Sequence, residues 1–262
     1  MRLSLLIILL LISSTGVYSQ PATSKGVKTE IGMLDNAAYR IDIPKEWNQR
    51  LVVFYHGYSE APVIYKTFLP TSVDEEFLSH GYAVVQSGYS VTGWALGKAF
   101  PETEALREYF VSKYGKPSQT YVTGESMGGT LTMMTIEQSP ERYDGALALC
   151  GRLDSSNEAR QKAFALLAAS DCYFPRILPS LDPVPHNFQV SKLLRQQVLQ
   201  ALDRNPKGAT AMRAFMELRS NKDVVGTMLF AVYVVKDAQE KAGGNPFDNR
   251  PISIQAAQMI EH

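Results

Sequence analysis

The sequence predicts an α/β fold: a mostly parallel sheet with helices on both faces, followed by a helical cap. Three observations predict it. Short, continuous, β-rich apolar runs recur at residues 50–57, 82–90, 120–124 and 145–151, which is how strands buried on both faces read. Segments of helical character lie between them, and strand–helix alternation belongs to a parallel sheet covered on both sides. From residue 152 onward only helical patterns appear.

The elements follow in order. Residues 1–19 are a different material: Arg2 gives a positive start, Leu3 to Ile12 is broken only by Ser4, and Val17-Tyr18-Ser19 offers a small-residue cleavage site. This reads as a secretory signal peptide, because the apolar run is about half the ~20 residues that a spanning helix needs. The mature chain is then expected to start near Gln20 and to work outside the cytoplasm, secreted or periplasmic, with no membrane attachment after cleavage. Residues 37–43 alternate apolar and polar, the pattern of a half-exposed strand near a sheet edge. The run RLVVFYHG at 50–57 reads as a buried strand, and YAVVQSGYS at 82–90 repeats it. Pro101 is expected to open a helix running to Tyr114, with Glu102 and Glu104 in its first turn and Gly115 at its end. The strand TYVTG at 120–124 leads through Ser126 into a helix ending at Ser139, and GALALCG at 145–151 closes the series of strands.

Residues 155–169, 188–203, 207–219 and 222–242 then read as helices separated by Pro and Asn breakers. The apolar stretch from Val224 to Val235 is too short to span a membrane and reads as a buried core helix. The division is therefore a signal peptide at 1–19, a sheet domain at 20–151 and a helical cap at 152–262. The chain of 262 residues is 45% apolar and 20% charged, enough for a full core. Lys+Arg and Asp+Glu are both 26, so no basic face points to nucleic acid or an anionic membrane. Cys150 and Cys172 could pair in an oxidising compartment or stand as buried free thiols. No His or Cys pair stands at metal-ligand spacing.

The stretch YVTGESMGGT, residues 121–130, carries the chemistry. Gly124-Glu125-Ser126-Met127-Gly128 fits G-x-S-x-G between a predicted strand and a predicted helix. Such a turn projects the serine hydroxyl above the sheet, and the glycines let strand and helix approach. The helix that follows aims its free N–H groups at the reacting oxygen. Upstream, His56-Gly57-Tyr58 ends an earlier strand, where the second oxyanion-hole donor of esterases and lipases is found. The expected donors are the Met127 N–H and the N–H of Gly57 or Tyr58. His56 beside them is expected to hold the loop rather than act as the base.

These residues resemble the α/β-hydrolase fold. The run from GYAVVQSGYSVTGWALGKA through TYVTGESMGG to SPERYDGALALCG is similar to secreted bacterial hydrolases of the esterase and peptidase-like branch, and AGGNPFDN at 242–249 resembles their cap region. The resemblance implies that Ser126 is the nucleophile and that Ser87 to Ser90 and Trp94 lie near the pocket. Tyr58, Tyr89, Trp94 and Glu125 are the candidate substrate contacts, with Tyr89 and Trp94 equally readable as packing residues. The implied activity is hydrolysis of a small carboxylic ester through an acyl-enzyme, or of a peptide, without a cofactor. A non-catalytic binding module on the same scaffold is the alternative, and the oligomeric state is left open.

An α/β-hydrolase triad runs Ser, then Asp or Glu, then His along the chain. Only His186 and His262 follow Ser126. His186 lies in the cap and His262 is the last residue, so neither stands where the fold would place the base. The expectation is a member of the fold lacking the C-terminal strands that carry the acid and the His, with an unpaired sheet edge after the last strand. The rival expectation is that His186 reaches Ser126 from the cap, oriented by Asp182 or Asp171.

Overall fold

The computed structural model describes residues 26–65, 72–153 and 155–247. The expected signal peptide and His262 lie outside the described residues. Six strands form one sheet: β1 (Val27–Leu34), β2 (Ala37–Pro44), β3 (Arg50–Tyr55), β4 (Ala83–Ser87), β5 (Gln119–Glu125) and β6 (Gly145–Leu149), in the order β1-β2-β4-β3-β5-β6. β1 and β2 are antiparallel to their neighbours, and β4, β3, β5 and β6 run parallel. In the parallel part Tyr55 pairs with Gly124, and Glu125 with Leu149. The C-terminal ends of β3, β5 and β6 therefore meet on one side, where an open parallel sheet binds ligands.

Helix α1 (Ser72–Ser79) precedes β4, α2 (Leu96–Tyr114) precedes β5, and α3 (Met127–Gln138) links β5 to β6. Tyr55, Phe110, Leu106 and Leu131 lie at the centre of the core that joins the sheet to α2 and α3. Four helices follow β6: α4 (Ser156–Tyr173), α5 (Lys192–Arg204), α6 (Pro206–Met216) and α7 (Asn221–Ala242). They enclose a second core around Leu167, Leu202, Met212, Met228 and Val232. Val224 to Val235 is the buried face of α7, as its pattern predicts, and no helix among the described residues is long and apolar enough to cross a membrane. Ser155, Ser191 and Ser220 cap α4, α5 and α7 by accepting from backbone N–H groups of the first turn.

Two elements and the two cysteines differ from expectation. The strand read as half-exposed near a sheet edge, β2, is second from the edge and almost wholly buried, because β1 covers its outer side. Its polar alternation is satisfied internally: Arg40 Nε donates to Asp42 at 2.5 Å, and Thr29 donates to Asp42 at 2.6 Å. Buried charge is tolerated in this paired, hydrogen-bonded form. The edge strand is β1. Helix α2 starts at Leu96 and not at Pro101, since the Ala95 carbonyl already accepts from the N–H groups of Lys98 and Ala99 at 2.9 and 2.8 Å. Glu104 then lies inside the helix, where Arg107, Arg142 and Tyr143 donate to it. Cys150 and Cys172 are free and exposed, neither paired nor buried. Beyond β6 no further strand joins the sheet among the described residues, and Leu147 and Leu149 on that edge are 57% and 42% exposed.

Candidate active site

Ser126 stands between β5 and α3 with φ 55° and ψ −120°, a backbone conformation that costs a non-glycine residue about 1–3 kcal/mol. The surroundings hold it there. Its N–H donates to the Leu149 carbonyl of β6 at 2.9 Å. A Cβ built on Gly128 would fall 2.1 Å from the Tyr55 carbonyl oxygen, and one on Gly129 would fall 2.6 Å from the Leu149 carbonyl oxygen. Only glycine lets α3 approach β3 and β6 so closely. The result is an exposed Ser126 ahead of a buried Met127. Met127 is the first residue of α3, so its N–H has no acceptor within the helix.

The end of β3 faces this turn. A Cβ on Gly57 would lie 3.4 Å from the Glu125 carbonyl oxygen and 3.5 Å from Ser126 Cβ, so the Gly57 backbone passes directly beside the serine. His56 Nδ1–H donates to the Gly57 carbonyl at 2.7 Å. Its ring stacks on Tyr89 with centroids 3.9 Å apart, and the Tyr89 hydroxyl donates to the His56 carbonyl at 3.1 Å. Burial lowers the His56 pKa. His56 and Tyr89 thus brace the loop that carries Gly57 and Tyr58.

The remaining candidates divide. Tyr89 is buried packing, with its phenol pKa pushed well up by burial. Glu125 is exposed at the end of β5. Tyr58 and Trp94 reach the cap: the Tyr58 ring meets Phe230 edge-on at 5.4 Å, and the Trp94 indole N–H donates to Ser156 Oγ at 2.7 Å. His186 lies apart. Its side chain is 89% exposed and its Nδ1 is 3.3 Å from Glu240 Oε1 on α7. Asp171 accepts from the Arg176 N–H at 3.0 Å. Neither His186 nor Asp171 hydrogen-bonds to Ser126. His80 sits at the end of α1, against Glu76. Among the described residues no His bonds to Ser126, and no three His, Cys, Asp or Glu side chains converge as metal ligands.

Sequence reading missed the contact of α7 with the segment before α2. Asp237 of α7 is buried, accepts from the Trp94 N–H at 3.3 Å, and pairs with Lys241 at 2.7 Å. Lys241 Nζ also donates to the carbonyls of Thr92 and Trp94 at 3.2 and 3.0 Å. A Cβ on Gly93 would collide with Asp237 Oδ1, so glycine is what admits this clasp. Above Tyr58 and Trp94, a cavity of about 460 Å³ opens between α4 and α7. The helix faces that wall it repeat at helical spacing: Ser156, Ala159 and Ala163 on α4, and Phe230, Val234 and Asp237 on α7.

The strand order and the strand–serine–helix turn define an α/β-hydrolase fold. The chain belongs to the tannase-like family of unknown function (DUF6351), whose profile matches residues 22–176. No curated protein matches the chain. Among solved structures it is similar to an acetyl xylan esterase from Aspergillus awamori, at 20% identity over 48% of this chain and 52% of that one, with a TM-score of 0.39. It is similar to an esterase from Pyrococcus furiosus at 16% identity, over 54% of this chain and 55% of that one, with a TM-score of 0.39. An acylaminoacyl peptidase from Pyrococcus horikoshii matches at 15% identity over 55% of this chain and 24% of that one, with a TM-score of 0.41. The chain thus spans about half the length of the two esterases and a quarter of the peptidase.

Proposed function

We propose that the protein is a secreted serine hydrolase that acts on carboxylic esters through an acyl-enzyme on Ser126. The observation that carries this reading is the strained, exposed Ser126 with Gly57 packed against it. Ser126 Oγ attacks the ester carbonyl carbon, the C–O bond to the alcohol breaks, and the Oγ proton passes through solvent water to the departing alkoxide, which leaves as the alcohol. Water then attacks the acyl carbon, the bond to Ser126 Oγ breaks, one water proton restores the serine hydroxyl, and the carboxylic acid leaves. The carbonyl oxygen gathers negative charge between the Met127 N–H and the N–H of Gly57 or Tyr58. Losing one such donor costs about 3 kcal/mol of transition-state stabilisation.

On this reading Ser126, Met127 and Gly57 or Tyr58 carry the chemistry, and no imidazole among the described residues hydrogen-bonds to Ser126. A site without its base keeps on the order of 10³-fold acceleration from the oxyanion hole and binding. Slow turnover of an activated ester is therefore the expected behaviour of this part of the machinery. The test is p-nitrophenyl acetate hydrolysis by the purified chain beside Ser126→Ala and His186→Ala. Wild type should exceed Ser126→Ala, and His186→Ala should match wild type. A wild type no faster than Ser126→Ala would favour the non-catalytic binding module. A His186→Ala variant as slow as Ser126→Ala would put the base in the cap.

A further inference from the structure

The α4–α7 cavity lies one residue away from the serine's own surroundings on two sides. Tyr58 follows Gly57, which packs on Ser126, and Trp94 precedes Ala95, whose N–H donates to Met127 Sδ at 3.4 Å. Its walls are largely alanine and aromatic side chains, which suits an apolar group. Its charge is not balanced. Arg152, Arg160 and Lys162 line it against one carboxylate, Asp237. That carboxylate is already held by Lys241 and the Trp94 N–H. Lys162 pairs with Glu158 at 2.7 Å, and Arg152 also has a partner. Arg160 is half-buried on the cavity-facing stripe of α4 and has no ion pair or hydrogen bond among the described residues. It stands at the wall shared with a neighbouring groove lined by Phe164 and Phe247.

A guanidinium at an apolar wall, with its donors unused, recognises a planar anion through paired hydrogen bonds. We propose that this cavity takes a substrate with an apolar body and a carboxylate, the carboxylate held by Arg160. The class is an ester that also bears a free acid group. The assignment deepens the ester-hydrolase reading and rests on it for the word substrate, while the binding itself is independent of Ser126.

The test is calorimetric titration of the purified chain with hydrocinnamate and with its neutral amide. Wild type should bind the carboxylate about tenfold more tightly than the amide, the usual scale of one charge-assisted contact. Arg160→Gln should bind the two alike. Thr227→Trp, on an exposed position of α7 that lines the cavity, should weaken both by about tenfold through filling. Thermal melts of both variants establish that they fold. Equal binding of the two ligands by wild type, or no binding of either, overturns the proposal. So does a preference that survives in Arg160→Gln, or an unchanged affinity in Thr227→Trp. Because none of these titrations uses the serine, an inert Ser126 would sink the hydrolase reading and leave the anion site standing.

Discussion

Replacing Ser126 by glycine should make the protein more stable, although it removes the nucleophile. At φ 55° and ψ −120° the Ser126 Cβ crowds its own backbone, a strain of about 1–3 kcal/mol. Glycine enters that region freely and relieves the strain. Its extra freedom in the unfolded chain returns about 0.5–1 kcal/mol of the gain. The net expectation is a stabilisation of about 0.5–2 kcal/mol relative to Ser126→Ala, which keeps the Cβ and the strain. For a chain of this size 1 kcal/mol moves Tm by about 2–4 °C, so Ser126→Gly should melt about 1–8 °C above Ser126→Ala by scanning calorimetry. The alanine variant is the right reference, because both lack the hydroxyl and differ only at the backbone. A Ser126→Gly variant that melts at or below Ser126→Ala would refute the claim that the turn is strained.

Other outcomes follow from the same geometry. Gly128→Ala should cost about 1–3 kcal/mol and abolish esterase activity, since its Cβ would drive α3 off the Tyr55 carbonyl; urea melts and p-nitrophenyl acetate turnover read both. Glu30 accepts from Tyr39, Tyr109 and Lys113 at 2.8, 2.7 and 2.8 Å, and from Tyr114. Burial alone would raise its carboxyl, but the donors of Lys113, Tyr114, Tyr109 and Tyr39 outweigh burial and hold it at about 2. A depressed carboxyl contributes stability above its unfolded pKa of about 4.5 that is lost as pH falls toward 2. Glu30→Gln should therefore lose about 1–2 kcal/mol at pH 7, discounted for the exposed Lys113 partner, and show a flatter acid loss in urea melts across that window. Leu147→Lys on the outer edge of β6 should reduce concentration-dependent association in light scattering, because a charge blunts an exposed apolar strand edge.

What the sequence made legible was local. Apolar runs ending in glycine located β3, β5 and β6, and Gly124-Glu125-Ser126-Met127-Gly128 located the strand-to-helix turn, because each depends on neighbours within a few residues. β2 lies near the sheet edge as its pattern suggests, but its exposure was misread because that is decided by β1 pairing with it, a relation its own alternation does not carry. Pro101 suggested a helix start, yet the Ala95 carbonyl had already begun α2. The cap cavity was invisible for the same reason. The stripes at Ser156, Ala159 and Ala163 and at Phe230, Val234 and Asp237 have meaning only once α4 and α7 face each other. The clasp of Asp237 on Gly93 and Trp94 joins residues far apart in the chain, and no single-segment pattern announces it.

The central claim is that Ser126 forms an ester with the acyl group. Its most direct test is peptide mass spectrometry of the chain quenched in acid shortly after mixing with p-nitrophenyl acetate. An acetyl group is expected on the peptide holding Ser126, and none on the same peptide from Ser126→Ala. Release of p-nitrophenol with no acetyl on Ser126, or with the label on another side chain, would contradict it.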